Sequence, residues 1–291
     1  MFKSVKELIS ICNKEQLAIY EVMLRQEMEV SGLTQEEVYA NMDKNLQTME
    51  NALDEGLQGE GVTSTTGLTG GDAVLLKRYI ATGRSLAGNT LLDVVSKAMA
   101  TNEVNAAMGK ICATPTAGSA GVVPGVLFGL KPRMNPSRRD MLNFLLTAGA
   151  FGFVVANNAS ISGAAGGCQA EVGSAAAMAA AATVELAGGT PQQSAEAFAI
   201  CLKNMLGLVC DPVAGLVEVP CVKRNAGGSS NAVVSADMAL AGITSRIPTD
   251  EVIQAMYRIG QTMPSALRET GRGGLAGTPT GQRLKQKIFG D

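Results

Sequence analysis

Six cysteines and the absence of histidine determine which chemistry this chain of 291 residues can perform. Three of the cysteines lie at turns: Cys168 follows two glycines, Cys210 precedes an Asp-Pro pair, and Cys221 follows a proline. Cysteines carried by turns can converge as metal ligands, whereas a cysteine in a helical apolar stripe usually packs in the core. Without histidine, Ser-His triads, Cys-His pairs and His-ligated zinc are excluded. Any bound metal therefore needs thiolate or carboxylate ligands.

The other three cysteines fit a structural role better. Cys201 lies with Phe198 and Met205 at helical spacing, and Cys12 lies in a charged amphipathic segment at the N-terminus. Cys112 immediately precedes a Gly-rich loop, and we assign it to packing as well. The six cysteines, together with an amphipathic and charged N-terminal segment unlike a signal peptide, predict a reducing, cytoplasmic location.

Three converging thiolates suit an iron–sulfur cluster better than zinc, because a 4Fe-4S cube takes one thiolate per iron and tolerates wide separation in sequence. Three thiolates for four irons leave one iron without a protein ligand. Such an iron is a Lewis acid that can bind a substrate oxygen and stabilise a leaving group, which is dehydratase chemistry rather than electron transfer. The spacing of the cysteines matches neither a ferredoxin nor a zinc pattern, so three purely structural thiols remain an equal alternative.

Three loops rich in glycine, serine and threonine, over residues 63–72, 114–121 and 160–167, are candidates for binding an anionic group. Backbone N–H groups at a helix N-terminus form an anion site, but a Gly-rich loop can also be a joint that lets helices pack closely. Because three such loops accompany the candidate cysteines, we weigh a carboxylate-binding site equally with the joint. The candidate substrate-binding positions are Ser64, Gly67, Thr69, Gly70, Thr116, Ser119, Ser160, Ser162 and Gly163.

Helical periodicity dominates the elements that must position these residues. Apolar residues recur at spacings of three and four over residues 4–55, between charged faces. The pairs Ser4/Glu7 and Thr34/Glu37 predict capping boxes at the starts of two helices. We expect this part of the chain to form an exposed helical arm.

Further helices are expected along the rest of the chain. Asp72 ends the first Gly-rich loop and is expected to cap the helix that follows it. A helix is expected near residues 89–110, and an Ala-rich helix over residues 170–187. Thr190 and Pro191 predict the N-cap and first turn of the next helix.

The apolar stretch over residues 141–156 is about sixteen residues long, short of the roughly 20 that a membrane span requires. We therefore expect a buried core helix and no membrane contact. Strand-like alternation is brief throughout, so the sequence predicts an all-α fold with Gly-rich loops around a cluster site. We expect a single catalytic domain over residues 1–291, in which a helical arm (1–55) precedes the cluster and substrate core (56–270) and a polar tail (271–291).

Composition excludes two classes of protein. Apolar residues make up 46% of the chain and charged residues 17%, which is incompatible with intrinsic disorder. Lys and Arg number 24 against 26 Asp and Glu, so too little positive charge is present to neutralise a run of phosphates. Nucleic acid is therefore not an expected partner.

The family signal lies in three stretches of sequence: TSTTGLTGGDA, SISGAAGGCQAEVGSAAAMAAAATVELAGGTP and CDPVAGLVEVPCVKRNA. They closely resemble the α chain of the iron–sulfur-dependent bacterial L-serine dehydratases, and the match spans most of residues 60–245. The resemblance implies a helical catalytic domain in which Cys168, Cys210 and Cys221 hold a 4Fe-4S cluster. It also implies conversion of L-serine to pyruvate and ammonia through an aminoacrylate intermediate. The open iron would bind the serine hydroxyl, and the Gly-rich loops would hold the carboxylate and amine.

The chain departs from single-chain members of that family in two ways. Those members carry an additional β domain with a Ser-His-Thr type motif, and this chain has neither the motif nor any histidine. A separate β subunit is therefore implied, and we expect a higher oligomer. Some single-chain members also place a C-terminal cysteine on the fourth iron, but no cysteine follows Cys221 here. Either the fourth iron takes water or substrate, or the partner supplies a ligand.

Removal of the Cα proton of serine requires a base, and Lys223, Glu171 and Asp211 are candidates because each lies close in sequence to a ligand cysteine. Each of them can instead form an ordinary ion pair or helix cap, and a base from the β subunit is equally open. Arg224 and Asn225 follow the third ligand cysteine and are expected to contact the substrate carboxylate, since arginine offers a bidentate fork.

Three alternatives stay open. A related iron–sulfur lyase acting on cysteine or threonine would use the same ligands. A pyridoxal-phosphate dehydratase would use a Schiff-base lysine and a Gly-rich phosphate cup, and KRNAGGSSNA superficially supplies both. A non-catalytic helical scaffold would leave the three cysteines packed or redox-active. Iron content and serine turnover of the purified protein separate these cases.

Overall fold

The computed structural model describes residues 1–290 and consists of helices joined by loops. Within that range it contains no β-strand, only isolated bridges that pair Thr63 with Gly70 and Cys210 with Arg268. The all-α prediction is confirmed. The thirteen α-helices are α1 (Val5–Glu15), α2 (Ile19–Ser31), α3 (Gln35–Leu57), α4 (Asp72–Ala81), α5 (Asn89–Ala106), α6 (Val122–Met134), α7 (Arg138–Asn158), α8 (Gly163–Gly166), α9 (Ser174–Leu186), α10 (Pro191–Lys203), α11 (Cys221–Leu240), α12 (Thr249–Thr262) and α13 (Pro279–Phe289).

The Ala-rich helix α9 forms the centre of the core. All its residues from 174 to 184 are buried, and it packs against α6, α7, α10 and α11. Two glycines of α6 let this helix approach α5 closely. A Cβ on Gly125 would stand 2.6 Å from Cα of Ala98, and one on Gly129 would stand 2.4 Å from Cα of Val94. Small residues thus let α5 and α6 pack with their backbones in contact.

Helix α7 contains the apolar stretch that was expected to be a buried core helix. It begins after Ser137, whose side chain accepts a hydrogen bond from the Asp140 N–H at 3.1 Å. Its residues Phe144, Leu146 and Phe151 are at most 2% exposed. By length and composition alone α7 could cross a membrane, but 67% of its most apolar window is buried inside the protein. This burial is that of a core helix.

The first three helices pack on the core, so the prediction of an exposed arm is wrong. Phe2, Leu8, Ile19 and Leu46 are at most 1% exposed. Helix α1 packs against α10, α2 against α7 and α3 against α5. The apolar stripes at helical spacing need a partner, and the central helices supply it.

The predicted helix caps in which the two partners lie within one helical turn are confirmed. The Thr34 side chain accepts from the Glu37 N–H while the Glu37 carboxylate accepts from the Thr34 N–H, which is a complete capping box. The Ser4 side chain accepts from the N–H of residue 7, although the carboxylate there accepts from the Lys3 N–H instead of completing the box. Thr190 caps α10 as predicted, with Pro191 in the first turn.

The cap of α4 differs from the prediction. Asp72 is itself the first residue of α4, and Gly71, with φ 75°, precedes it. Glu103 of α5 takes over the capping: its carboxylate accepts from the Asp72 N–H at 2.8 Å and from the Ala73 N–H at 3.4 Å. Burial raises the pKa of Glu103 to about 7. Glu103 thereby anchors the end of the first Gly-rich loop.

A lysine satisfies a carbonyl that a proline leaves free in α6. Pro132 has no N–H to donate to the Phe128 carbonyl one turn earlier. The Lys97 ammonium of α5 donates to this carbonyl at 2.8 Å and to Asp93 at 2.7 Å. The pairing adds a polar link between α5 and α6.

The C-terminal part is more ordered than the expected polar tail. Residues 274–277 form a 3-10 turn, and α13 then packs against the loop at residues 213–215. Thr278 caps α13 by accepting from the Gly281 N–H at 3.1 Å. The segment thus lies next to the loop that joins Cys210 to Cys221.

Candidate functional site

Two thiols and one carboxylate come together in the interior of the protein. Cys168 follows the short helix α8, Glu171 lies in a π-helical turn at residues 169–173, and Cys210 lies in the loop after α10. Their ligand atoms are all within 4.8 Å of one another, and all three residues are buried. The Sγ atom of Cys210 is 3.9 Å from Oε2 of Glu171. Soft thiolates with a carboxylate form a donor set for a transition metal or an iron–sulfur cluster.

The side chain of Gln169 fixes these segments to one another. It donates a hydrogen bond to the Met256 carbonyl of α12 at 3.0 Å and accepts one from the Gly207 N–H at 3.0 Å. Its neighbour Cys168 is thereby held against the loop that leads to Cys210. Gln169 is completely buried, so these bonds are made out of contact with water.

The C-terminal segment holds Cys210 through its backbone. The Cys210 N–H donates to the Leu267 carbonyl at 2.8 Å, and the Glu269 N–H donates to the Cys210 carbonyl at 2.7 Å. The Leu275 N–H also donates to the Asp211 carboxylate at 2.7 Å. Residues 267–275 therefore form one wall of the site.

The third predicted ligand, Cys221, is the first residue of α11 and is 7% exposed. It lies outside the set whose ligand atoms are within 4.8 Å of one another. Burial raises the pKa of its thiol, and the negative charge of Cys168 raises it further. The structure thus brings Cys168 and Cys210 into contact distance and places Cys221 within electrostatic reach of Cys168.

Of the two neighbouring thiols, Cys168 is better prepared to lose its proton. A hydrogen bond from Cys210 lowers the pKa of the Cys168 thiol, and the positive charge of Arg224 lowers it too, while burial acts in the opposite direction. The same hydrogen bond, together with burial, raises the pKa of the Cys210 thiol. The lowered pKa favours the thiolate form at Cys168, and thiolates rather than thiols bind metals.

Glu171 is held beside the thiols by two of the Gly-rich loops. The Thr116 hydroxyl donates to its Oε1 at 2.8 Å. Burial raises the pKa of Glu171, and the bond from Thr116 opposes this rise. A Cβ on Gly163 would stand 2.4 Å from Oε2 of Glu171 and 2.9 Å from Sγ of Cys210, so any larger residue here would displace one of these groups.

The remaining serines of these two loops bond locally. The Ser119 hydroxyl is buried and donates to the Thr114 carbonyl at 3.0 Å. The Ser160 hydroxyl accepts from the Ser162 N–H at 3.1 Å. These hydroxyls shape the loops, and that of Ser162 stays without a hydrogen bond inside residues 1–290.

The first Gly-rich loop is a tight reversal. Ser64 and Thr69 are both buried, and the Ser64 N–H donates to the Thr69 carbonyl at 2.9 Å. Gly67 has φ 72° at the tip of the reversal, and Gly70, with φ 149°, leaves no room for a Cβ against the Val62 carbonyl. The two glycines are thus needed for the turn itself.

This loop reaches the cysteine region through Thr66. Its hydroxyl donates to the Glu218 carboxylate at 2.8 Å, and Glu218 is buried in the loop between Cys210 and Cys221. All three Gly-rich loops therefore lie near the cysteine region, and their part in a common substrate site stays a prediction.

The three polar residues after Cys221 are placed differently from one another. Lys223 is largely exposed and forms an ion pair with Asp72. Arg224 forms an ion pair with Asp211 at 2.8 Å and donates to the Val209 carbonyl at 2.7 Å. The guanidinium and the Asp211 carboxylate therefore bind each other beside Cys168.

Asn225 is fully buried and bonds to backbone only. Its Oδ1 accepts from the Gly121 N–H at 3.1 Å, and its Nδ2 donates to the Gly118 carbonyl at 2.8 Å and to the Cys221 carbonyl at 2.9 Å. Asn225 thereby joins the second Gly-rich loop to the first turn of α11.

Comparison with known proteins identifies the family. The family model described as serine dehydratase alpha chain matches residues 14–276. This chain belongs to the serine dehydratase alpha chain family. The resemblance seen in the sequence is confirmed.

Relatives in this family match over most of the length of this chain. A probable L-serine dehydratase, alpha chain, of Bacillus subtilis is 73% identical over 100% of this chain and 96% of that protein. The L-serine dehydratase, alpha chain, of Peptoniphilus asaccharolyticus is 44% identical over 99% of both chains. The L-serine dehydratase TdcG of Escherichia coli is 38% identical over 94% of this chain but only 61% of that longer protein.

Sequence reasoning missed several residues that build the candidate site. Gln169 and Glu218 lie inside the stretches that carry the family signal, and their position next to or between ligand cysteines could have singled them out. Glu269 and Leu275 follow Cys221, the last of the predicted ligand cysteines, by many residues and carry no motif. Only the fold shows that they adjoin Cys210.

Proposed function

We propose that this chain is the catalytic α subunit of an L-serine dehydratase, which converts L-serine to pyruvate and ammonia. The names of its relatives support the substrate and the reaction. The observation that carries the proposal is the buried set of Cys168, Glu171 and Cys210, whose ligand atoms lie within 4.8 Å of one another. A dehydratase must activate the hydroxyl group that leaves the substrate. This set of two thiols and one carboxylate is suited to bind a metal cofactor that does so.

The residues present fit a 4Fe-4S cluster. All six cysteines are free, and the three at turns are buried. Gly163 keeps the space next to Cys210 and Glu171 clear of side-chain atoms. We propose Cys168, Cys210 and Cys221 as the ligands. When bound, a cluster with an iron lacking a protein ligand supplies a Lewis acid for the serine hydroxyl.

The protein's own groups must hold the thiolates and orient the substrate. Arg224 stabilises negative charge at Cys168 and is itself held by Asp211, so we assign both to positioning the ligands. Asn225 fixes the second Gly-rich loop through its three backbone bonds and has the same kind of role. We therefore propose that N–H and hydroxyl groups of the loops at residues 63–72, 114–121 and 160–167 bind the substrate carboxylate. Among them, the hydroxyl of Ser162 is free to donate.

Among the candidate bases, Glu171 is best placed. Its carboxylate lies beside both thiols, whereas Lys223 is paired with Asp72 at the surface and Asp211 is bound by Arg224 and a backbone N–H. We therefore propose that Glu171 takes the Cα proton of serine. Its bond from the Thr116 hydroxyl holds the carboxylate in place for this transfer.

We further propose that the chain acts with a separate β subunit in a higher oligomer in the cytoplasm. The relatives from B. subtilis and P. asaccharolyticus match over nearly their full length and are named alpha chains, and the E. coli protein extends well beyond the matching part. Six unpaired thiols fit a reducing compartment.

The test is anaerobic purification of the chain together with its β subunit. Iron, acid-labile sulfide and pyruvate formation from L-serine, L-threonine and L-cysteine are measured. We expect iron near four per α chain and turnover of serine. Cys168→Ala is expected to lose iron and activity, while the matched control Cys12→Ala, at a buried cysteine of α1, keeps both. An iron-free wild type that is fully active, or a loaded complex that leaves serine unchanged, would refute the proposal.

A further inference from the structure

Glu269 lies beside the thiols, although no sequence pattern singles it out. Its N–H donates to the Cys210 carbonyl at 2.7 Å, next to the bridge between Cys210 and Arg268. The side chain is half-buried. Its negative charge helps to raise the pKa of both Glu171 and Cys210, so its carboxylate is within electrostatic reach of the proposed catalytic groups.

The backbone of Glu269 is in an unfavourable conformation. Its φ of 62° lies in the left-handed region, which glycine enters freely and a residue with a Cβ enters at a cost. The hydrogen bonds on both sides of Cys210 hold the segment in this shape. A glycine would relieve the strain, so the presence of glutamate points to a use for its side chain.

Glu269 is also an acidic group near the thiols whose carboxylate is left without a partner. Inside residues 1–290 its side chain makes no hydrogen bond or ion pair. Several other charged side chains around the site are already engaged, in the pairs Arg224–Asp211, Lys223–Asp72, Glu218–Thr66 and Glu171–Thr116, whereas the buried Nε of the neighbouring Arg268 also lacks a hydrogen-bond partner. A half-buried, unpaired carboxylate is a ready binding group for a cation.

L-serine brings such a cation, its α-ammonium group. We propose that the Glu269 carboxylate binds the α-ammonium group of L-serine and thereby selects an amino acid over a hydroxy acid. This inference rests on the proposed function. It assigns Glu269 to substrate binding and leaves proton removal to Glu171.

The test compares L-serine with 3-hydroxypropionate, which keeps the hydroxyl and carboxylate but lacks the ammonium group. Both are measured on the anaerobic complex with the β subunit, L-serine as substrate and 3-hydroxypropionate as inhibitor. Glu269→Gln is expected to raise KM for L-serine about 10- to 100-fold, because a charge-assisted contact is lost. The inhibition constant of 3-hydroxypropionate is expected to change less than about 3-fold.

Glu269→Gly separates binding from folding. It removes the carboxylate and relaxes the backbone, so we expect the same rise in KM without a fall in Tm. The matched control is Gln16→Gly at the end of α1, where φ is 55° and the site is remote. This control is expected to relax the backbone in the same way and leave KM unchanged.

The outcomes are distinguishable. An unchanged KM for L-serine in Glu269→Gln, or an equal loss for L-serine and 3-hydroxypropionate, overturns the assignment while the proposed function stands. Wild-type complex that carries a cluster and does not turn over serine overturns the proposed function, and the inference falls with it.

Discussion

Replacing Gly163 by alanine is expected to disable the site while leaving the fold in place. Gly163 begins the short helix α8, where alanine suits the backbone. Its new Cβ would stand 2.4 Å from Oε2 of Glu171 and 2.9 Å from Sγ of Cys210, whereas ordinary contact begins at 3.4 Å. The Glu171 carboxylate must therefore move by about 1 Å, or the loop must shift by as much.

Both stability and rate are expected to respond. Overpacking of this kind lowers the free energy of unfolding by about 1–3 kcal/mol. A displacement of about 1 Å in a catalytic group costs about 100-fold in rate. We therefore expect a modest fall in Tm and a fall of about 100-fold in kcat/KM for L-serine, with reduced iron per chain if the thiol moves as well.

The assay uses the anaerobic complex with its β subunit and measures Tm, iron content and kcat/KM for L-serine. Gly227→Ala is the matched control, because Gly227 is exposed on α11 and a Cβ there would meet nothing within 4 Å. It is expected to stabilise the helix by about 0.5–1 kcal/mol and to leave turnover unchanged. A Gly163→Ala enzyme with normal iron content and normal turnover would show that Glu171 and Cys210 do not perform the chemistry assigned to them.

Two further predictions concern stability. Because the pKa of Glu103 is raised to about 7, its contribution to stability is fully present below the unfolded pKa near 4.5 and is lost as pH rises through 7. Urea unfolding at pH 5 and pH 8 should therefore show that the stability of wild type relative to Glu103→Gln falls by about 1–3 kcal/mol at the higher pH, and parallel profiles would contradict this. Pro132→Ala restores an N–H for the Phe128 carbonyl, so Lys97→Met should cost about 1 kcal/mol less in the Pro132→Ala background than in wild type. A double-mutant cycle measures this coupling, and additive costs would show that the Lys97 bond does not compensate for the proline.

Helix starts could be predicted from sequence where the cap and its partner share one turn. Thr34 and Thr190 cap as expected because each meets a residue three positions later. Asp72 failed as a cap because it is the first residue of α4 and not the residue before it, and Glu103, on a different helix, accepts from the N–H groups of residues 72 and 73. A side chain that arrives from elsewhere in the fold leaves no local signal.

Burial was harder to predict than helicity. The spacing of apolar residues over residues 4–55 correctly gave helices with one apolar face, but it does not say which surface that face will meet. The charged residues between the stripes suggested an exposed arm. In the structure Phe2 packs edge to face on Phe153 of α7, at 5.5 Å between ring centroids, and Asp250 of α12 accepts from the Val5 N–H. Which surface the apolar face of a helix packs against depends on all the helices of the core.

The residue types at the site could be predicted from the sequence, but the wall formed by residues 267–275 could not. Cys168, Cys210 and Glu171 lie in motifs, and their convergence follows from turns that the sequence marks with glycine and proline. The position of Cys210, however, depends on two backbone hydrogen bonds from residues 267–269. Backbone bonds depend on conformation rather than on side-chain type, so no residue pattern announces them. The C-terminal segment is therefore part of the candidate site, and changes there should act on the thiol at Cys210 as directly as changes in the cysteine loops do.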